Sequence, residues 1–258
     1  GTVETVGSLT RKDLVKYITQ YYTPGRLLVA AAGNVKQEEL AEIVQEHLGG
    51  YTAPDAVDEF HPIEHSARIA TGFKQTEQVH LIVGAPGLSR LDPDRYTLEV
   101  LEGIVGSGMS SRLFQELREE RGLVYTTYSF HSLYRDHGLW GAYAATGKQQ
   151  AQTVIDAMVE QFNRMGSEPV TEAELSRAKQ QLKGSLLIGL ESTSNRMSRI
   201  AKDELFMLDS TTPEEEIALI EAVTIEDVQR LSQRLLSQGL SLSAIGPIEE
   251  GELTLPSL

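Results

Sequence analysis

The sequence predicts an α+β fold, one mainly antiparallel sheet covered by helices on one face, preceded by the closing part of a related domain. Three observations predict it. Apolar runs of strand length and alternation gather between Thr71 and Thr146. Helical periodicity then runs almost without break from Gln149 to Leu236. One helix-turn-strand unit also occurs twice, near the start and at the end of the chain.

Thr10 stands as a cap before apolar residues at helical spacing, Leu14, Tyr17, Ile18 and Tyr21, and Pro24-Gly25 ends that helix. Arg26 to Ala32 is a short apolar run closed by Gly33-Asn34, which predicts a buried strand. Glu38 to Leu48 returns to helical period and stops at Gly49-Gly50. The stretch from Tyr51 to Ile69 holds Pro54 and Pro62 with no sustained period and reads as a linker. Thr71 to Ala85 reads as a strand. Asp92-Pro93 opens a helix carrying Tyr96, Val100 and Ile104, and a second helix from Ser110 to Arg121 stops at Gly122. Val124 to Phe130 and Gly138 to Thr146 alternate around a polar turn, predicting a hairpin. Helices follow at Gln149 to Met165, Thr171 to Met207 (interrupted), Pro213 to Ala222 and Thr224 to Leu236, and Leu240 to Ile245 is a last strand.

The repeat becomes visible when Leu9-Thr10-Arg11-Lys12-Asp13-Leu14 is set against Val223-Thr224-Ile225-Glu226-Asp227-Val228. Tyr17 then falls on Leu231, Tyr21 on Leu235 and Gly25 on Gly239. The organisation read from this is the end of a first α+β domain over 1–53, a linker over 54–69 and a complete second domain over 70–258. Gly1 to Gly7 has neither an initiator Met nor a signal-peptide layout and reads as an internal cut.

With 258 residues, 40% hydrophobic and 23% charged, the chain has the composition of a globular protein large enough to bury a core without cross-links. It contains no cysteine, which excludes disulfides and thiolate metal sites and leaves the compartment open, with the cytoplasm favoured. A net charge of −14 disfavours a nucleic-acid partner. The longest apolar run, Leu27 to Ala32, is far too short to span a membrane, so no membrane partner is expected.

The stretch Gly106-Ser107-Gly108-Met109-Ser110-Ser111-Arg112-Leu113-Phe114-Gln115-Glu116-Leu117-Arg118-Glu119-Glu120-Arg121-Gly122-Leu123-Val124-Tyr125 resembles the second homologous domain of the pitrilysin, insulinase and mitochondrial processing peptidase family of zinc metallopeptidases. Tyr22-Thr23-Pro24-Gly25-Arg26-Leu27 and Ala32-Gly33-Asn34-Val35 are similar to that family's end-of-first-domain segment. The resemblance implies half of a clamshell in which two similar domains enclose a peptide. It also implies that the zinc motif, His-x-x-Glu-His, and its further Glu ligand belong to the other half, so that zinc is bound outside this chain. On that basis this chain contributes Arg118, which positions the substrate backbone, and Tyr125, which donates to a developing oxyanion; Gly106 and Gly108 read as a loop that lines the peptide or as a simple turn. Read from the residues alone, Arg118 belongs to a solvated cluster with Glu116, Glu119 and Glu120, and Tyr125 is strand core. Positions seven apart share one side of an α-helix within about 20°, so the pair can also meet.

The expected function is therefore the substrate-enclosing half of a zinc metalloendopeptidase, inactive alone, with a peptide substrate and a missing N-terminal domain or partner subunit, and a homodimer or heterodimer as possible assemblies. The alternative is a catalytically silent partner or scaffold of the same family. His61-Pro62-Ile63-Glu64-His65 spells the zinc motif literally but lies in the linker, and Leu139 to Tyr143 offers no third carboxylate, so His61, Glu64 and His65 are read as coincidental. Gly103, Gly106 and Gly108 follow a helix rather than a strand, which argues against a phosphate loop. His47, His80, His131 and His137 have no paired spacing, and Ser110-Ser111 has no companion that makes it a nucleophile.

Overall fold

The computed structural model describes residues 1–52, 63, 65–206 and 211–256. Along the chain come α1 (Val3–Ser8), α2 (Arg11–Tyr21), a 3₁₀ turn (Pro24–Arg26) and α3 (Gln37–Leu48). Strands β1 (Ile69–Phe73) and β2 (Val79–Pro86) lead into α4 (Arg95–Val105), a helical segment at Phe114–Glu120, and the hairpin of β3 (Thr126–Leu133) and β4 (Gly138–Thr146). Then follow α5 (Ala151–Ser167), α6 (Glu172–Gly189), α7 (Thr193–Leu205), α8 (Pro213–Ala222), α9 (Ile225–Leu236) and β5 (Ser241–Gly246). No helix among the described residues is long and apolar enough to cross a membrane.

The chain divides into two units, Gly1–Pro62 with Leu190–Ser210, and Ile63–Gly189 with Thr211–Leu258. Residues 190–210, read from the sequence as part of the second domain, group with the first unit.

The second unit holds a mixed five-stranded sheet in the order β1-β5-β2-β4-β3, parallel only between β1 and β5. Strict alternation sorts its two faces. Val79, Leu81 and Val83 of β2, Trp140, Ala142 and Ala144 of β4, and Leu242 and Ala244 of β5 point into one core with α4, α5 and α9. Trp140 packs on Phe162 of α5 with ring centroids 4.8 Å apart. The opposite face carries His80, Ile82, Tyr128, Tyr143 and Ile245, with Tyr128, Tyr143 and Ile82 aligned across three strands.

Helix ends follow local chemistry. Thr10 and Thr224 cap α2 and α9 with the same reciprocal box to Asp13 and Asp227. Thr212 caps α8 with Glu215, and Pro213 takes its first position.

Four expectations need correction. Arg26 to Ala32 forms no strand; Leu27, Leu28 and Val29 are exposed. A strand exists only against a ladder partner, and the described residues of the first unit offer none. Thr71 to Ala85 is two strands that do not pair with each other but flank β5, because the polar run Lys74 to Glu77 breaks the period. The helix expected to open at Asp92-Pro93 opens at Arg95. Asp92 instead forms a turn, its Oδ1 accepting from the Asp94 N–H at 2.9 Å, while Arg234 and Arg230 of α9 bind Asp92 and Asp94 at 2.8 Å. The helix expected over Ser110 to Arg121 is wound as a π-helix from Phe114 to Glu120.

Candidate functional site

α4 ends at a glycine that must lie against β3: a β-carbon on Gly106 would sit 2.1 Å from the Ser129 backbone nitrogen, so no other residue fits without moving the strand. Gly108 takes a left-handed φ of 87°, and the Ser111 hydroxyl donates to its carbonyl at 2.7 Å. Gln115 Nε2 donates to the Met109 carbonyl at 2.7 Å, closing the loop onto the following helical segment.

Arg112 anchors that segment from below. Its Nε donates to Glu174 Oε1 at 2.7 Å and its Nη2 to Oε2 at 3.1 Å, a largely buried bidentate pair. Glu174 also caps α6 by accepting from the Thr171 N–H at 2.8 Å. Burial alone would raise the Glu174 carboxyl, but Arg112 and the Thr171 donors outweigh it and hold it at about 2. A folded value below the unfolded one adds stability above the ordinary glutamate range, and that stability is lost as pH falls from there toward 2. Glu174→Gln is therefore expected to destabilise the second unit by about 2 kcal/mol at neutral pH, and the difference closes toward pH 2. Thermal denaturation of both proteins across that range checks it, and a pH-independent difference would refute the assignment.

From Phe114 to Glu120 the winding is π rather than α, with the Arg121 N–H reaching back to the Glu116 carbonyl at 3.1 Å. Gly122, at φ 61°, reverses the chain, and the Leu123 N–H bonds the Leu117 carbonyl at 2.8 Å. Tyr125 therefore lies outside the helix. It meets Arg118 because the chain turns back, not because the two share an α-helical face: the guanidinium carbon is 4.9 Å from the Tyr125 ring centre and 4.8 Å from that of Phe114.

Tyr125 is not strand core, since 74% of it is exposed. The acidic cluster is also divided differently from the sequence reading, because Arg121 takes Glu116 and, at 2.9 Å, Glu160. Among the described residues Arg118 keeps only Glu119 in ion-pair range, at 3.8 Å, which is too long for a hydrogen bond. Among the described residues nothing accepts from the Arg118 guanidinium or the Tyr125 hydroxyl. The structure thus presents five N–H donors and one O–H donor side by side, ordered but uncommitted.

Two further groups, to which the sequence assigned no role, shape the site. Phe114 lies four residues before Arg118, a spacing that marks neighbouring side chains on a helix. His131 of β3 binds Glu102 of α4 and so fastens the hairpin to the helix before the loop. Burial pulls His131 down, but Glu102, with Glu99 behind it, lifts it above its ordinary value. Burial raises Glu99. No sequence spacing links positions so far apart.

Elsewhere, His80 Nδ1 is 2.7 Å from the Tyr143 hydroxyl, and His137 Nδ1 is 2.6 Å from Asp136. Of the zinc-like string, His61 and Glu64 lie outside the described residues, and His65 is exposed and outside any helix. Among the described residues no three His, Asp or Glu side chains stand together so as to hold a metal ion. The described side chains therefore do not fit a zinc ion.

Residues 8–182 match the profile described as the peptidase M16 inactive domain. The chain belongs to the peptidase M16 family. Its M16 relatives include an uncharacterized zinc protease of Bacillus subtilis, 37% identical over 247 residues, covering 96% of this chain and 60% of that protein. Another, an uncharacterized zinc protease of Streptomyces coelicolor, is 37% identical over 259 residues, 97% of this chain and 56% of that one. The chain thus spans less than two thirds of these relatives. Solved structures share the M16 fold: a protease from Helicobacter pylori (TM-score 0.84, 20% identity, 96% of this chain and 61% of that one) and a peptidase M16 inactive domain from Pseudomonas fluorescens (TM-score 0.82, 22% identity, 96% and 60%).

Proposed function

We propose that this chain is the substrate-enclosing second half of a zinc metalloendopeptidase, and that it supplies Arg118 and Tyr125 to a reaction whose zinc is bound outside it. The observation that carries the proposal is the uncommitted Arg118–Tyr125 pair. A guanidinium edge matches a peptide carbonyl or carboxylate. A phenol hydroxyl donates to the oxygen of the scissile carbonyl as that oxygen gains charge. Arg118 binds and orients the backbone while Tyr125 stabilises the oxyanion. Gly106 and Gly108 hold the adjoining loop in a shape that a peptide can approach.

The domain reading is proposed with it: residues 1–53 close a preceding α+β domain, 54–69 link, and 70–258 form the second. The repeat supports this. Val228, Leu231 and Leu235 of α9 are fully buried, whereas the aligned Leu14, Tyr17 and Tyr21 of α2 are 54%, 57% and 41% exposed, as an element lacking its sheet would be. The partner is that preceding domain, or a subunit carrying it.

The 258-residue chain alone is expected to hydrolyse no unfolded peptide, and zinc-dependent cleavage to require the half that carries the metal. Zinc-dependent hydrolysis by the chain alone, abolished by His61→Ala or His65→Ala, would sink the proposal. A silent partner or scaffold role is the second reading, favoured by the description of the matching profile as an inactive domain. Peptide binding without cleavage by the intact protein would select it.

A further inference from the structure

We infer that Phe114 is a positioning residue for Arg118, a role that rests on the function proposed above. An exposed arginine samples many rotamers, and one that must meet a substrate carbonyl at a fixed place needs something to hold it without occupying its donors. An acidic partner would hold the charge but take the N–H groups. An aromatic ring holds the cation by its face and leaves the guanidinium edge open.

The site has that arrangement. The Arg118 guanidinium carbon lies 4.8 Å from the Phe114 ring centre and 4.9 Å from that of Tyr125, while the nearest carboxylate, Glu119, stays at 3.8 Å. Phe114 can serve as the fixed member because it is half-buried, next to the fully buried Leu113 and close to the Arg112–Glu174 pair that ties the segment to α6. Tyr125 is largely exposed and lies between the Gly122 turn and the start of β3. The π-wound backbone between Phe114 and Glu120 carries both Phe114 and Arg118, so ring and cation are set by one element.

The test uses the intact protein, zinc-bearing half included, with a quenched peptide substrate. Phe114→Ala and Phe114→Leu are expected to lower kcat/KM about fivefold to tenfold, mostly through KM, while Phe114→Tyr, which keeps the ring, stays near wild type. Placed on Arg118→Ala, neither substitution is expected to lower the rate further. Independently of activity, the Arg118 side-chain Nε–Hε resonance is expected to carry ring-current shifts from both rings, and Phe114→Leu is expected to move it by removing the Phe114 part. Additive losses, or a resonance that does not move, overturn the inference. If Arg118→Ala leaves hydrolysis intact, the functional reading fails, yet the resonance still decides whether Phe114 holds the arginine. Should Phe114→Ala not fold, Phe114→Leu carries the test with nearly the same volume.

Discussion

Replacing Tyr125 by Phe in the intact protein is expected to lower kcat by about 10²–10³-fold while KM changes little, because the lost hydroxyl acts on charge that exists only in the transition state. Tyr125 suits this clean test. It is 74% exposed and its hydroxyl has no partner among the described residues, so the substitution leaves no buried group unsatisfied. Fold and stability should be unaffected. Arg118→Ala is expected to raise KM as well, since a guanidinium that holds the backbone acts before the chemical step as well as during it. Arg118→Lys should not restore the rate, because an ammonium lacks the planar fork and stacks poorly on two rings. Steady-state kinetics on one peptide, with zinc content measured in parallel, separates these outcomes. A Tyr125→Phe protein with an unchanged kcat would leave the pair as surface packing only.

What the sequence made legible was what short-range chemistry controls. Thr212-Pro213 with Glu215 marks the start of α8, and the α8 bounds follow. Alternation around Tyr134 to His137 marks the β3–β4 hairpin, and the motif from Gly106 to Tyr125 places the candidate pair. Long-range pairing was less visible. Nothing near Ile69 announces that β1 pairs with β5 some 170 residues on. Arg26 to Ala32 has the composition of a strand but no ladder partner among the described residues of its unit, and composition cannot supply one. The π winding was hidden too, since it differs from an α-helix by one residue in the hydrogen-bond step while the apolar spacing of Leu113 and Leu117 suits both. That winding also means that Arg118 and Tyr125 meet for a different reason from the one their spacing suggests. A seven-residue α-helical face does not join Arg118 to Tyr125, and a glycine reversal does.

Leu231→Ala is expected to destabilise the second unit by about 3 kcal/mol, whereas Tyr17→Ala at the aligned position of the first copy costs no more than about 1 kcal/mol in this chain. Leu231 is fully buried, so truncation removes transfer energy and leaves a cavity that α9, packed on α4 and α5, can close only in part. Tyr17 is 57% exposed and keeps chiefly its contact with Tyr21, at 4.6 Å between ring centres. The informative comparison adds the preceding domain. If that domain lays a sheet over α2 as the second sheet lies over α9, the Tyr17→Ala cost should rise to that of Leu231→Ala. The amide hydrogens of α2 should then exchange as slowly as those of α9, and Leu27 to Ala32 should become protected as a strand. Thermal or denaturant unfolding of both variants, with hydrogen exchange to assign the loss to α2 or α9, measures this. An intact protein in which Tyr17→Ala stays mild and Leu27 to Ala32 exchanges freely would mean that the repeated sequence no longer encodes a repeated fold. The resemblance would then have to carry the domain reading without the exposed face of α2.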